Sequence, residues 1–408
     1  MEILRKESLE KLILWKDKHF IKVITGLRRC GKSTLLNQYK NLLIQQYHIK
    51  DKQILSYDFN DPMLTKISYL DLYNEIINKS NKNTINYILL DEIQEIKDFE
   101  KCVIGLFEHK TIKFDIYITG SNSHMYSREL ATLFTGRNIE INLMPLSFID
   151  IKNNIFPKEK DSFIFNKYLN LGGLGIIIDT YLMNENDNLQ IINNVLNDAI
   201  EKDIMLKVNT SNKKRILNII KYIFVSVGKQ ISTRNIENFM KTNNGIELTH
   251  NTISKYIKFL TEAMILYPVH FYEVKTKNIL LNKVKYYSGD LGLLTSMLSL
   301  KNIDSLMGFR LENLIFLELK KQNFKIYTFK NNDYEIDFIC EKNNEIYYIQ
   351  VCYKLNNDNF LRESKSLLNM KDNFKKIIMY YYLEDLWNDK GIKLIDITKF
   401  LNNEESIY

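Results

Sequence analysis

The chain has 408 residues, 45% of them hydrophobic and 12% aromatic, which is too long for one ordinary core and too apolar for a disordered chain. Its formal charge of +7 points towards an acidic partner such as nucleic acid, a signal discounted by a chain-wide richness in Lys, Asn and Ile. Four scattered cysteines, mixed charges over residues 1–18 and no apolar run of bilayer length set the expectation of a cytoplasmic protein with free thiols and no membrane partner.

Residues 20–25 read as a short buried strand. The loop Gly26-Leu27-Arg28-Arg29-Cys30-Gly31-Lys32-Ser33 follows at once, and a helix continues from Thr34. Strand, glycine loop and helix in that order are the context a phosphate-binding P-loop requires. Glycines let backbone N–H groups turn inward around phosphates, and the helix N-terminus adds positive potential. Lys32 is expected to reach the β- and γ-phosphates of ATP and Ser33 to ligate Mg²⁺.

The run Tyr87-Ile-Leu-Leu-Asp91-Glu92 describes a buried parallel strand whose acidic tip emerges beside the phosphates. Asp91 is the expected metal residue and Glu92 the base that orients the attacking water. The next strand ends at Gly120 before Ser121-Asn122-Ser123. Ser121 or Asn122 is the expected catalytic contact to the γ-phosphate or the water, and a polar helix cap is the alternative. Arg137 sits just before a further strand, where a multimeric ATPase presents an arginine to its neighbour's γ-phosphate, or where a surface arginine pairs with a carboxylate.

The segments ITGLRRCGKSTLL, ILLDEIQ, ITGSNS, LFTGR and LMPLSF, in that order, resemble a prokaryotic AAA+-type ATPase family whose C-terminal region has no assigned function. The likeness covers nearly the whole chain. It implies an AAA+ fold, an arginine-finger role for Arg137 and a small helical lid around Gly172-Gly173, although the proline usual after that glycine pair is missing. The doubled Arg28-Arg29 also resembles the family, and by charge at least one is expected near phosphate or an adjacent subunit.

Residues 213–281 carry an apolar helical stripe, a short helix capped by Ser232, a third helix from Thr249 and two alternating segments around the basic turn Lys275-Thr-Lys277. Three helices and a basic β-wing make a winged helix, whose third helix enters the major groove of DNA. Thr249, His250, Asn251, Ser254, Lys255 and Lys258 are its expected outward residues, and a protein-binding adaptor is the other use of the module.

In the last part, Glu312 on a helix, Asp337 on a strand and Gln350-x-Cys352-x-Lys354 on the next follow the order in which restriction-endonuclease-like folds gather acids around Mg²⁺. Glu312, Asp337, Gln350 and Lys354 are therefore a candidate second metal site. Gln350 stands where an acid is common and Cys352 where a lysine is usual, with Lys354 on the same face by strand alternation. A glutamine supplies only a neutral oxygen, which favours an inactive or structural domain.

The expected architecture is α/β: a parallel-sheet P-loop domain of AAA+ type at 1–150, a helical lid at 151–210, a winged helix at 211–285, and an α/β restriction-endonuclease-like domain at 286–408. The expected activity is Mg²⁺-dependent ATP binding and hydrolysis, with Lys32 among the catalytic residues and residues 26–34, including Thr34, around the nucleotide. DNA or a protein is the expected partner, in a homo-oligomer. The alternatives are a nucleotide-gated nuclease and a nucleotide-dependent switch that recruits a protein without catalysis.

Overall fold

Five short strands give the first part of the chain its sheet: β1 (Ile21–Gly26), β2 (Ile54–Asp58), β3 (Ile85–Asp91), β4 (Lys113–Thr119) and β5 (Asn138–Leu143). In this computed structural model residues 2–408 are described except 65, 121–133, 206–212, 246, 274–277, 299–304, 332 and 385–388. The spatial order is β2-β3-β4-β1-β5, and every pairing is parallel. From β1 the chain crosses to the far edge, steps back through β3 and β4, and then passes over β1 to β5. That reversal brings the carboxyl ends of β1, β3 and β4 together, the position where ligands bind in open α/β sheets.

Helices α1 (Lys6–Leu14), α2 (Lys32–Gln45), α3 (Tyr69–Lys79) and α4 (Phe99–Phe107) accompany the sheet. One face is a dry core in which Ile21, Val23, Ile88, Leu90, Ile116 and Ile118 meet α3 and α4 through Leu72, Ile76, Val103 and Leu106. Lys22 of β1 and Asp115 and Tyr117 of β4, which alternate with those apolar residues, build a buried network instead. Lys22, fully buried, pairs with Asp115, which also accepts from Tyr117 Oη at 2.9 Å, and Tyr117 shares a 2.6 Å bond with Tyr39 of α2. Such a pair costs more to break than it adds in stability, so it fixes which strands are neighbours rather than how tightly they hold.

The described residues divide into two compact units, Met1–Pro145 with Glu262–Met264, and Leu146–Thr261 with Ile265–Tyr408. The second unit begins with α5 (Phe148–Ile155), α6 (Asp161–Leu171) and α7 (Glu185–Ala199). It continues with α8 (Lys213–Val225), α9 (Thr233–Asn244) and α10 (His250–Glu262). The short strand β6 (Gln230–Ile231) lies between α8 and α9, and the hairpin β7 (Leu266–Glu273) and β8 (Asn278–Ser288) follows α10. The remaining elements are α11 (Leu291–Met297), α12 (Met307–Lys321), β9 (Lys325–Lys330), β10 (Glu335–Lys342), β11 (Glu345–Leu355), α13 (Asn357–Leu368), β12 (Lys375–Leu383), β13 (Lys393–Asp396) and α14 (Ile397–Leu401).

Strands of this unit form one eight-stranded sheet, β13-β12-β11-β10-β9-β7-β8-β6. The hairpin read from sequence as a wing is therefore continuous with the strands read as nuclease-like, through the pairing of Phe271 with Thr328. The second hairpin strand, read to about Leu281, runs on to Ser288.

Two glycine-bearing motifs, far apart in the chain, fit each other here. A Cβ at Gly172 would overlap the Asp290 carboxylate, and one at Gly173 would overlap the Leu146 carbonyl. Asp290 accepts from Gly173 N at 2.8 Å and caps α11 by accepting from Gly292 N and Leu293 N at 2.8 and 3.2 Å. Arg310 donates to Leu169 O at 3.0 Å and to Asn170 Oδ1 at 2.7 Å, and Asn313 bonds the Ser288 backbone on both sides. These residues tie α6, α11 and α12 into one body.

Burial pushes the Asp290 carboxyl up to about 6, against the pull of those three N–H donors. Its ordinary value in an unfolded chain lies near 4, so between the two values the unfolded state is ionised while the folded state keeps its proton. Stability is then present below the unfolded value and lost as pH rises to the folded one. The difference in unfolding free energy between wild type and Asp290→Asn should fall by about 3 kcal/mol between pH 4 and pH 7. Urea titrations of both proteins at the two pH values check this.

Candidate nucleotide site

The P-loop leaves β1 at Gly26, where a Cβ would overlap both Leu143 O and the Cys30 sulfur. Gly31 caps α2 with φ 104° and ψ 29°, a left-handed conformation that favours glycine. Leu27 and Cys30 are buried, Arg28 is half-buried and Arg29 is exposed. Lys32 begins α2, is itself buried, and reaches Gly26 O at 3.3 Å and Glu92 Oε1 at 3.9 Å. Ser33 and Thr34 complete the first turn.

Asp91, the last residue of β3, receives hydrogen bonds from the Ser33 and Thr119 hydroxyls. Burial raises its carboxyl above the ordinary range, those two bonds oppose the rise, and Glu92 and Asp58 add to it. A buried carboxylate beside a serine hydroxyl, short of positive charge, is a hard-oxygen set suited to Mg²⁺. Glu92 follows in a left-handed conformation, φ 54° and ψ 43°. Its N–H donates to Thr119 Oγ1 at 2.9 Å, and its carboxylate accepts from Gln94 Nε2 at 2.6 Å.

Lys32, Ser33, Asp91 and Glu92, chosen from sequence, thus stand together at the carboxyl ends of β1 and β3. Thr119, at the end of β4, joins them without having been singled out. Its signal was local: a polar residue closing an apolar strand, two residues before the Ser121–Asn122 tip. Ser121 and Asn122 themselves lie outside the described residues.

Arg137 is elsewhere. It precedes β5, and its carbonyl accepts from Ile21 N, at the start of β1 and so at the opposite end of the strand from the loop. Five residue steps of strand separate those ends, roughly 17 Å. Arg137 pairs with Glu108 at 2.9 Å and is 41% exposed.

In the second unit, Glu312, Asp337 and Gln350 line one cleft of about 560 Å³ with Gly228, Lys229 and Glu335. Lys354 does not join them; it is exposed and pairs with Glu384 at 2.6 Å. The cation among the acids is Lys285 of β8, 2.6 Å from Glu335, 3.2 Å from Glu312 and 4.0 Å from Asp337. Tyr287 donates to Glu312 at 2.6 Å. Burial alone would lower the Lys285 ammonium, but the three carboxylates outweigh it and hold it above its ordinary value. Burial likewise lifts Glu312 and Asp337 above the ordinary carboxylate range. Among the described residues, no group of three or more His, Cys, Asp or Glu has the geometry to hold a metal ion. Lys285 and Tyr287 escaped the sequence reading because the strand that carries them was ended too early.

Thr249, just before α10, and His250, Asn251, Lys255 and Lys258 on it are exposed and Ser254 is half-buried, while Ile253, Tyr256, Ile257 and Leu260 are buried. Lys275 and Lys277 lie outside the described residues. No described helix is long and apolar enough to cross a membrane.

An "AAA domain" family matches residues 18–152, and two domains of unknown function match residues 162–304 and 307–400. An uncharacterized protein of Haemophilus influenzae is 32% identical over 411 residues, covering 98% of each chain. The chain belongs to an AAA-type ATPase family. A second uncharacterized relative in Methanocaldococcus jannaschii is 31% identical, covering 92% of this chain and 84% of its own. The solved Walker-type ATPase of Pyrococcus abyssi is similar in fold, with a TM-score of 0.50 at 14% identity over 72% of this chain and 95% of that one. The parallel sheet and these likenesses establish an α/β P-loop NTPase fold for the first unit of this AAA-type protein.

Thr119→Val keeps the side chain's shape but removes its bonds to Asp91 and Glu92. ATP turnover should fall about 10–100-fold, as expected when a catalytic group loses its alignment. Steady-state phosphate release beside a MgADP titration checks that the loss lies in turnover and not in binding.

Proposed function

We propose that this protein binds MgATP at the P-loop, hydrolyses it, and uses the cycle to control binding to DNA through α8–α10 and the β7–β8 hairpin, read as a winged helix. The observation that carries the ATPase part is the convergence of Lys32, Ser33, Asp91, Glu92 and Thr119 at adjacent strand ends. Bound Mg²⁺ would neutralise phosphate charge, with Ser33 and Asp91 as its holders. Lys32 neutralises the β- and γ-phosphates, and the N–H groups of the loop and of the α2 terminus orient them. Glu92, held to Thr119 through its backbone, takes a proton from the attacking water. The Lys32–Glu92 contact keeps the base beside the lysine that is to meet the phosphates.

Arg137 cannot serve the site of its own chain from the far end of β5, so its role as a finger requires a neighbouring copy, and with it a homo-oligomer. Glu108 holds it in the isolated chain. Glu92→Gln should keep MgATP affinity and lose turnover by about 10²–10⁴-fold, the usual contribution of a general base; normal phosphate release in that variant sinks the assignment.

The DNA part rests on the exposed polar face of α10. Replacing both Lys255 and Lys258 by Ala should weaken duplex binding and lower the slope of log K against log salt by about 2. Fluorescence anisotropy at several salt concentrations reads both. An unchanged slope, or no affinity for DNA at low salt, would favour recruitment of a protein partner instead. For the C-terminal cleft we favour a structural role over a nuclease, because the Lys285 ammonium already occupies the place among the carboxylates that a metal would take.

A further inference from the structure

Arg5 precedes α1 and stands 25 residues before Cys30, outside the P-loop and the acidic strand tip. Its guanidinium donates through Nη2 to the Cys30 carbonyl of the P-loop. Through Nη1 it donates to Met144 O at 3.3 Å, just past the end of β5. The segment that carries it is fastened to α2. Arg5 N donates to Gln38 Oε1 at 3.0 Å, Gln38 Nε2 donates to Ile3 O at 2.9 Å, and Ile3 and Gln38 are both buried.

What Arg5 grips decides what the loop presents. A peptide unit is planar and trans, so the carbonyl of residue 30 and the N–H of residue 31 point in opposite directions. With Cys30 O drawn outward to Arg5, Gly31 N–H is turned to the inner side of the loop, where phosphate-binding donors are needed. Gly31 sits at φ 104°, where a glycine peptide rotates at little steric cost. Left free, the peptide can turn over and aim a carbonyl oxygen at the phosphates. The other flank of the loop is already fixed, since Gly26 packs against Leu143 O and the Cys30 sulfur. Arg5 supplies the remaining fixed point, and because its charge is permanent the grip does not depend on pH.

We propose that Arg5 is a positioning residue of the nucleotide site, locking the Cys30–Gly31 peptide so that its N–H faces the polyphosphate of the nucleotide. This inference rests on reading the P-loop as a nucleoside triphosphate site. It makes the segment before α1 part of that site, so the ATPase core begins at Ile3 and not at β1.

The test compares wild type, Arg5→Met, which keeps an apolar stem without donors, and Arg5→Lys, which keeps the charge but cannot fork between two carbonyls. MgADP affinity is measured by calorimetry and ATP turnover by phosphate release. In Arg5→Met, Kd for MgADP and KM for ATP should rise about tenfold or more, the loss expected for a charge-assisted bond. Because Asp91 and Glu92 are untouched, kcat at saturating ATP should stay within about threefold of wild type. Arg5→Lys should fall between the two. A folded Arg5→Met protein with wild-type affinity overturns the proposal, and so does a loss confined to kcat. Should Arg5→Met not fold, Arg5→Gln, which retains a single donor, decides by the same criterion. Wild type that binds no MgADP overturns the nucleotide reading itself and this inference with it.

Discussion

The carboxylate of Asp91 is the point on which the first unit turns. It is buried, and its own protein answers it with two hydroxyls and no ammonium within an ion-pair distance among the described residues. Such a group is tolerable only where something else brings positive charge, which is why it belongs at the open end of a parallel sheet and not in its middle. The strand order follows from the same need. With β4 beside β3, Thr119 holds Asp91 with its hydroxyl and receives the Glu92 N–H, and β1 on the other side of β4 brings the loop to the same edge. Four residues below the loop, the Lys22–Asp115 pair fixes β1 against β4 and so keeps that neighbourhood in register.

The second unit is organised by a comparable device with a different outcome. Its buried acids are answered from within, Asp290 by backbone N–H groups and Glu312 by Lys285 and Tyr287. The Gly308-Phe-Arg-Leu-Glu-Asn313 stretch serves two elements from one helix: Arg310 reaches α6, while Glu312 and Asn313 both hold β8, at Lys285 and Ser288. A residue pattern that looks like a remnant of catalysis is, in this arrangement, also the joint between helices and sheet. On α12 the residues of that pattern carry packing, which the sequence pattern alone does not reveal.

Local order explains what could be read beforehand. A P-loop, an acidic strand tip and the Glu312–Asp337 succession are each spelled within a few residues or in fixed element order, so they were legible without the fold. Arg5, Thr119 and Lys285 act across 25, 28 and 27 residues on partners that only the folding of the intervening elements brings near. No periodicity announces such a meeting. Lys354 shows the converse: strand alternation put it on the face of Gln350, yet it is exposed, lies outside the cleft and pairs with Glu384, just past the following strand.

The single sheet that runs from β6 to β13 also governs how the protein can be taken apart. Boundaries drawn from motifs at 285/286 would cut β8 within its pairing with β7 and separate β7 from β9. Each half would then expose a bare strand edge, the kind of surface on which chains stack and aggregate. Fragments meant to isolate the helical trio from the C-terminal strands should therefore carry the hairpin whole, and the smallest soluble piece of the second unit is expected to include all eight strands.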